Sequence, residues 1–271
     1  MPLPSSGAIS LNQIHVEAGG SSGTQAALND ADIRDMINKS SGAQNSFNEY
    51  YGVSSSSPTI TSKGAIITTG NGFPGGYVTI SSGTKVVVVT CQLAGSGNSF
   101  VSLGGNLMTL AAKVDSVTPV SGIWQAAYTS AIYYYETSSS GSMYVGGNGG
   151  SGRSVVQIFE ITDYNSATPY TTDTAQQTNV DHSASITVSS QYNGLTIGSV
   201  ITEDTIPVNS VTVTNADATP QVTLESASSH VAWYEAGTPT GNRTYTVTQV
   251  NPGNNVIPGG TLFQMTAAAW K

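Results

Sequence analysis

The sequence predicts a mainly β protein in which a small N-terminal helical segment precedes an antiparallel, jelly-roll-like β-sandwich. Composition is the first indication, because the 271 residues include 37 Ser, 33 Thr and 30 Gly, which favour turns and strands over long helices. Short runs of Val, Ile and Tyr between turn residues are the second indication, and they recur from Thr59 onward. The 38% hydrophobic and 9% charged fractions are typical of a folded chain rather than a disordered one.

Two capping boxes predict helix starts in the N-terminal segment. Ser10 is followed three residues later by Gln13, and Ser46 is followed by Glu49 in the same way. At this spacing each side chain accepts a hydrogen bond from the backbone N–H of the other residue, which satisfies groups that a helix start leaves free. We therefore expect short helices to begin after Ser10 and after Ser46.

A third helix start lies between these two boxes. Asn29 precedes apolar residues at helical spacing, which predicts a helix over 30–38 with Asn29 as its N-cap. The first helix is predicted over 11–18, because two glycines follow it.

Residues 1–52 are interpreted as a docking or assembly segment, joined by a linker over 53–58 to a β body over 59–271. A Ser run closed by Pro is typical of a flexible linker. The segment contains too few large apolar side chains to be stable alone, so we expect it to need a surface to pack on. A helical cap that packs on the β body is the alternative interpretation.

Strand signals continue through the whole body. The unbroken apolar run 85–93 predicts a central strand that is covered on both faces. The other predicted strands are 65–69, 77–80, 99–103, 107–112, 123–136, 142–145, 154–161, 184–189, 196–201, 210–214, 221–226, 229–235, 242–250 and 261–270. The polar stretch 163–182 carries no strand signal. Alternation of polar and apolar residues favours antiparallel sheets in one sandwich, and two smaller sandwiches meeting near 165–180 are the alternative.

Charge and targeting signals narrow the classes of function. The net charge of −8 and the pI near 4.6 leave no basic surface for nucleic acid. No apolar run approaches the roughly 20 residues of a membrane span, and the N-terminus has no signal-peptide pattern. The single Cys91 is expected to be a buried small apolar residue. We therefore expect no nucleic-acid binding, no membrane insertion and no export.

No catalytic, metal-binding or cofactor-binding residues are predicted. His15, His182 and His230 lack the short spacings of zinc ligands. Asp181 to Ser183 contains the residue types of a hydrolytic triad, but neighbours in sequence cannot orient one another as a nucleophile and base require. The Gly-rich run 146–153 lacks the Lys-Ser/Thr ending of a phosphate loop and is interpreted as a hairpin tip.

A cluster of aromatic residues is the candidate contact site. Three consecutive tyrosines in a strand place at least one ring on each face of the sheet. Exposed Trp and Tyr rings offer flat apolar area and a polar tip to sugars or protein partners. Trp124, Tyr133, Tyr134 and Tyr135 are therefore the candidates for contact with a glycan or a protein partner. Packing of these rings in the core or in a subunit interface is the alternative interpretation.

Three motifs follow one another in the N-terminal segment: Ser6-Gly7-Ala8-Ile9-Ser10-Leu11, then Leu28-Asn29-Asp30 with Ile33-Arg34, then Ser46-Phe47 with Tyr50-Tyr51-Gly52. In this order they resemble the N-terminal segment of bacteriophage tail and other virion structural proteins. The chain departs from that pattern at Ala18, where a bulkier residue is common, and at Ala43-Gln44-Asn45, where an apolar residue usually precedes the last motif. The Ser/Thr/Gly-rich body is diffusely similar to β-sandwich domains of phage fibre proteins.

The resemblance implies a non-enzymatic virion structural protein, a short tail fibre or fibre-like appendage that is anchored by its N-terminus and contacts the host surface. It implies other virion proteins as partners, self-association as a homotrimer, and a place in the virion after synthesis in the host cytoplasm. The docking residues would be Ile9, Leu11, Ile14, Leu28, Ile33, Arg34, Phe47, Tyr50 and Tyr51. A capsid decoration protein and a polysaccharide-degrading tailspike domain are the alternatives, although the scattered acidic residues form no motif for the latter.

Overall fold

The computed structural model shows four antiparallel sheets preceded by a small helical segment. The residues that it describes are 3–37, 39, 42–51, 53, 57–68, 70, 72–94, 100–115, 128–149, 154–179, 182–191, 193–203, 210–216, 221–224, 228–238, 241–250 and 261–271. The mainly β, antiparallel and sandwich-like fold that the sequence predicts is confirmed, and so is the small N-terminal helical part.

The helical segment begins with the predicted capping box. Helix α1 is Leu11–Glu17; the backbone N–H of Gln13 donates to Ser10 Oγ (3.2 Å), and the N–H of Ser10 donates to Gln13 Oε1 (2.7 Å). The second box precedes a 3₁₀ helix, Phe47–Tyr50, where the carboxylate of Glu49 accepts from the N–H of Ser46.

The middle helix differs from its prediction at both ends. Helix α2 is Ala31–Asp35, and its N-cap is Asp30 rather than Asn29. Asp30 Oδ2 accepts from the N–H of Ala27 (2.7 Å), which closes the preceding turn and leaves Asp30 in the extended conformation of a cap. The helix ends early because the N–H of Ile37 donates to the Arg34 carbonyl, a tighter 3₁₀-type bond.

The body contains seventeen described strands. In chain order, β1 to β17 are Thr59–Thr68, Gly76–Ile80, Lys85–Ala94, Val101–Leu103, Asn106–Leu107, Thr109–Asp115, Tyr128–Thr137, Gly141–Gly147, Ser154–Thr162, Thr171–Asn179, Ser183–Ser190, Gly194–Glu203, Ser210–Val213, Gln221–Leu224, Ser228–Thr238, Gly241–Val250 and Thr261–Trp270. The predicted strand residues 69, 99, 123–127, 225 and 226 lie outside the described residues.

These strands form four stacked layers. Sheet A has the order β1-β9-β3-β7-β6, sheet B β2-β8-β4-β5, sheet C β10-β17-β12-β15-β14, and sheet D β11-β16-β13. One apolar core lies between sheets A and B, a second between C and D, and a third between A and C. The layers are therefore stacked as B–A–C–D, and the chain passes from the first sheet pair to the second through residues 163–170.

Strand β3 is central, as its unbroken apolar sequence predicts. It pairs with β9 on one side and β7 on the other. Val87 and Val89 pack in the core between sheets A and B, while Val86 and Val88 pack in the core between A and C. Both faces of the strand are covered, which is why it does not alternate with polar residues.

The two sheet pairs have the same topology in the same chain order. If β1 to β4 correspond to β10 to β13, and β6 to β9 correspond to β14 to β17, sheet C repeats the order of sheet A and sheet D repeats that of sheet B. The two-residue β5 has no counterpart among the described strands. Each pair has the crossed strand order of a jelly roll, so the described strands form two such sandwiches rather than the single one favoured from the sequence.

The contact between sheets A and C is partly reciprocal. Strand β3 faces its counterpart β12, and the contact of β7 with β17 is mirrored by that of β9 with β15. The contact of β7 with β12 is likewise mirrored by that of β3 with β15. The contacts of β6 with β10 and β17 have no counterpart of similar extent among the described residues of β14, so the contact as a whole is not symmetric.

Strand β10 was not predicted from the sequence. It lies in the polar stretch 163–182, and it pairs antiparallel with β17 along its whole length. An edge strand needs few apolar residues, because backbone hydrogen bonds hold it and one face meets water.

Candidate functional site

The N-terminal segment has an apolar core of its own. Leu3, Ile14, Ala18, Ile33, Met36 and Tyr50 are buried in it, and Ile9, Leu11, Leu28, Ile37 and Val53 pack against it. The N–H of Leu3 donates to the Val53 carbonyl (2.9 Å), which brings the two ends of the segment together. The segment therefore packs largely on itself.

This core contains most of the predicted docking residues. Ile14, Ile33 and Tyr50 are fully buried, Arg34 is nearly so, and Ile9, Leu11, Leu28 and Tyr51 are partly buried. Phe47 is exposed. The expectation that all nine residues present a docking surface is therefore corrected, since eight of them are wholly or partly inside the segment.

Polar side chains connect the three motifs within the segment. The Nδ2 of Asn45 donates to the Leu28 carbonyl (2.6 Å) and to the hydroxyl of Tyr50 (2.9 Å). Arg34 Nε donates to the Asn29 carbonyl (2.8 Å), and the hydroxyl of Tyr51 donates to the Gly7 carbonyl. Burial raises the pKa of Tyr50, so its hydroxyl remains protonated. Asn45 thus has a clear packing role.

The exposed apolar surface of the segment lies beside α1 and at the 3₁₀ helix. Val16 is 44% exposed and Phe47 is 38% exposed. A cavity of about 300 Å³, here called the α1 cavity, is lined by Leu3, Pro4, Asn12, Gln13, Val16, Glu17 and Ser22. The sequence analysis missed Val16, although its place two residues after buried Ile14 put it off the apolar stripe of the helix.

The last residue of the chain joins the segment to the body. Lys271 Nζ donates to the Met36 carbonyl (2.9 Å), and the Lys271 carbonyl accepts from the N–H of Asn165 (2.5 Å). Burial lowers the pKa of Lys271. The segment, the connection between the sheet pairs and the end of β17 therefore meet at one place.

The predicted aromatic contact site is largely covered. Tyr133 is buried in the core between sheets A and B, where burial raises its pKa. Tyr134 packs against Trp270 across the A–C contact, with ring centroids 6.4 Å apart, and Tyr135 packs against the first core. Trp124 lies outside the described residues. Of the two interpretations of this cluster, packing in the core therefore applies to the three tyrosines, because sheets B and C cover the two sides of β7.

Sheet B instead presents two exposed tyrosines on its outer face. Tyr77 on β2 and Tyr144 on β8 are direct cross-strand partners, 74% and 46% exposed. Their ring centroids lie 5.2 Å apart with an interplanar angle of 68°. Leu107 on β5 is 69% exposed, and its cross-strand partner is Ser102. We call Tyr77, Tyr144 and Leu107 the aromatic face. Tyr77 and Tyr144 are far apart in sequence, so only the strand pairing unites them.

The buried carboxylates of the body are held by cations and hydroxyls. Glu160 accepts hydrogen bonds from the backbone N–H and the hydroxyl of Ser81, both 2.7 Å, and pairs with Lys63 at 3.3 Å. Glu235 accepts hydrogen bonds from Nε and Nη2 of Arg243 and from the hydroxyl of Tyr245 (2.6 Å). These contacts explain the buried carboxylates by structural pairing.

Few other side chains of the described residues could serve as nucleophiles or metal ligands. Cys91 is a free, fully buried thiol whose pKa is raised by burial, as its place in the Val-rich strand predicts. Within the described ranges, no group of three His, Cys, Asp or Glu side chains could hold a metal ion. The same part of the chain contains no helix with the length and apolar character needed to cross a membrane.

No family model matches this chain, and neither a curated protein nor a solved structure matches it. The candidate surfaces are therefore the exposed apolar residues of the N-terminal segment and the aromatic face of sheet B.

Proposed function

We propose that this chain is a non-enzymatic structural protein of a bacteriophage particle, a short tail fibre or fibre-like appendage attached by its N-terminal segment. The order of the three N-terminal motifs supports the proposal by its resemblance to virion proteins. The observation that carries it is the separate core of the segment, which includes Ile14, Ile33 and Tyr50. A segment that packs on itself leaves the sheets of the body uncovered and has its own surface for a partner.

Attachment would use the outside of the segment rather than its motif core. Val16 and Phe47 are apolar and exposed, and the α1 cavity beside Val16 is large enough to receive one or two side chains of a partner. Burial of a large apolar side chain contributes about 1.5–3 kcal/mol. These two residues would therefore account for much of the affinity, while the core keeps them in position.

Incorporation into particles tests the proposal. The affinity-tagged full chain is produced in the cells where its gene is expressed, and particles are separated from free protein on a density gradient. We expect the tag in the particle fraction, and Val16→Glu and Phe47→Ser should lower its amount by about tenfold, since each removes about 1.4 kcal/mol or more. Ile67→Ser, at a half-exposed position on β1, is the matched control and should leave incorporation unchanged.

Two further measurements test where the chain lies on the particle and how many copies associate. Gold labelling of the tag under the electron microscope distinguishes a tail fibre, which labels the tail, from a capsid decoration protein, which labels the head. Light scattering on the purified full chain tests the proposed homotrimer, which should have three times the 27.8 kDa chain mass. Detection of the chain only in the free-protein fractions would overturn the attachment role.

A further inference from the structure

The aromatic face of sheet B has the form of a stacking platform. A Cβ added at Gly146 would lie 3.1 Å from Tyr144 Cε1, and one added at Gly75 would overlap the Tyr144 hydroxyl. The ring of Tyr144 therefore lies against the backbone of these two glycines, with its other side accessible. Tyr77 stands at a steep angle beside it and is the more exposed of the two. The glycine backbone holds the Tyr144 ring in place before any ligand binds, so binding would not have to order it.

The second sheet pair shows that the fold itself does not require these rings. Sheet D occupies the corresponding position, and β11 and β16 correspond to β2 and β8. Its outer face carries Ser185 paired with Thr246 and Thr187 paired with Thr244, whose hydroxyls bond to each other at 2.8 and 2.7 Å. Rings that stay exposed to water add little to the stability of the fold. Their presence on sheet B, and not among the described residues of the outer face of sheet D, therefore points to a contact.

Charge limits what could cover the aromatic face. The chain segments that form sheet B, 72–80, 100–107 and 141–149, contain no Asp, Glu, Lys, Arg or His, although the whole chain has a net charge of −8. A cationic or anionic ligand would find no opposite charge in these segments. Hydroxyl groups are the polar neighbours of the rings: exposed Thr79 and Ser142 are cross-strand partners on the same face, two residues from Tyr77 and Tyr144.

The aromatic face is too small for a stable interface with a second protein. One tyrosine supplies at most about 250 Å², so the two rings and Leu107 together offer roughly half of the 800 Å² that each partner buries in a stable protein interface. One or two sugar rings need far less. A pyranose also has the matching chemistry, an apolar C–H face that stacks on an aromatic ring and a rim of hydroxyls for polar neighbours.

We propose that the aromatic face is a binding site for a neutral saccharide, with a pyranose ring stacked on Tyr144 and bordered by Tyr77. This site is separate from the surface proposed for attachment to a particle. A saccharide test on the purified full chain can therefore fail while particle incorporation succeeds, and the reverse also holds.

The test measures binding of the full chain to neutral oligosaccharides of glucose, galactose and N-acetylglucosamine, with a sulfated oligosaccharide for comparison. Calorimetric titration should show that a neutral oligosaccharide binds and the sulfated one does not. Tyr77→Ala and Tyr144→Ala should each weaken binding about tenfold, whereas Tyr144→Phe keeps the ring and should stay within about twofold. Gly75→Ala should also weaken binding, because the new methyl group displaces the Tyr144 ring.

Two controls separate this site from a general effect of exposed residues. Tyr170→Ala removes an exposed tyrosine outside sheet B, and Thr187→Ala changes the corresponding face of sheet D; neither should alter binding. Thermal melts check that each variant is folded. If Tyr144→Ala unfolds, Tyr77→Ala still tests the site, because Tyr77 is the more exposed ring and its removal leaves no buried cavity.

Three results would overturn the proposal. The first is that no neutral oligosaccharide binds at millimolar concentration, or that only the sulfated one does. The second is binding that Tyr77→Ala and Tyr144→Ala leave unchanged. The third is a lower mass of purified Tyr77→Ala in solution, measured by light scattering, than that of the unchanged protein. Such a result would make the face a contact between copies of the chain.

Discussion

Glu160 shows how a single carboxylate holds separate parts of the first sheet pair together. It lies on β9 in sheet A, and its partners are Ser81, just after β2 in sheet B, and Lys63 on β1. Burial on its own would raise the pKa of Glu160, but the hydrogen bonds from Ser81 and the charge of Lys63 outweigh burial and lower it below 4.5. The ionised form is therefore the stabilising one.

Replacing Glu160 with Gln should lower the free energy of unfolding at pH 7 by about 1–3 kcal/mol, because charged hydrogen bonds are lost. Above pH 4.5 the carboxylate is ionised in both the folded and the unfolded chain, so its full contribution is present. As the pH falls below 4.5 and through the folded pKa, that contribution disappears. Urea unfolding at pH 7, 5 and 3.5 should show a difference between the two proteins that shrinks with acidity.

The control for this experiment is Glu136→Gln. Glu136 is exposed, and its amide replacement still accepts from the hydroxyl of Tyr164. A change of less than about 0.5 kcal/mol is expected at each pH. An equal destabilisation by Glu160→Gln at pH 7 and at pH 3.5 would contradict the charge-based explanation.

At the scale of elements, the N-terminal segment joins short helices that could not persist alone. Helices α1 and α2 have seven and five residues, whereas isolated helices shorter than about 12 residues are marginal in water. The shared core around Ile14, Ile33 and Tyr50 supplies the missing stabilisation. Local signals placed the helix starts at Ser10 and Ser46 correctly, but the start of α2 depended on the bond between Asp30 and Ala27, and its end on the backbone bond between Ile37 and Arg34.

Ile33→Ala should unfold the segment without unfolding the body. Truncation of a buried Ile costs about 2–5 kcal/mol, which is a large part of what so small a core provides. Hydrogen exchange measured by mass spectrometry should show lost protection over 3–53 and unchanged protection in β3 and β9.

The matched control in the same segment is Phe47→Ala. Phe47 is exposed, so its truncation leaves no buried cavity, and protection of the segment should be unaffected. A rise in exchange that includes β3 would show that the segment and the body unfold as one unit, contrary to this prediction.

The whole molecule depends on the contact between sheets A and C. Its apolar part includes Val86, Ile197 and Trp270. Its polar part is equally buried, because Ser130 donates to the Ser199 carbonyl (3.2 Å) and its hydroxyl lies 3.1 Å from that of Thr266. These bonds satisfy groups that would otherwise be desolvated without partners, so they favour one alignment of the two sheet pairs.

Trp270→Ala should uncouple the two sheet pairs. The indole is buried, packs on Tyr134, and donates to the Ala167 carbonyl (3.0 Å). Removal of the indole should lower the free energy of unfolding by about 3–5 kcal/mol. The lost interactions are those that join the two sheet pairs. Differential scanning calorimetry should show one transition for the unchanged protein and two for the variant.

Phe263→Ala is the control for coupling. Phe263 is buried in the core between sheets C and D, so its truncation should lower stability by a similar amount. The loss lies inside one sheet pair, and we expect a lower transition temperature without the separation seen for Trp270→Ala. A single transition for Trp270→Ala would contradict the proposed coupling role.

Composition and local pattern were enough to predict the β class, the capping boxes, the buried Cys91 and the central place of β3. These follow from short-range composition and periodicity, which act within a few residues. The tertiary structure alone decided which strand faces are covered. Alternation assigns side chains to two faces but does not say what packs on each face. Sheets B and C cover Tyr133 and Tyr134, while nothing among the described residues covers Tyr77, because its sheet is the outermost layer.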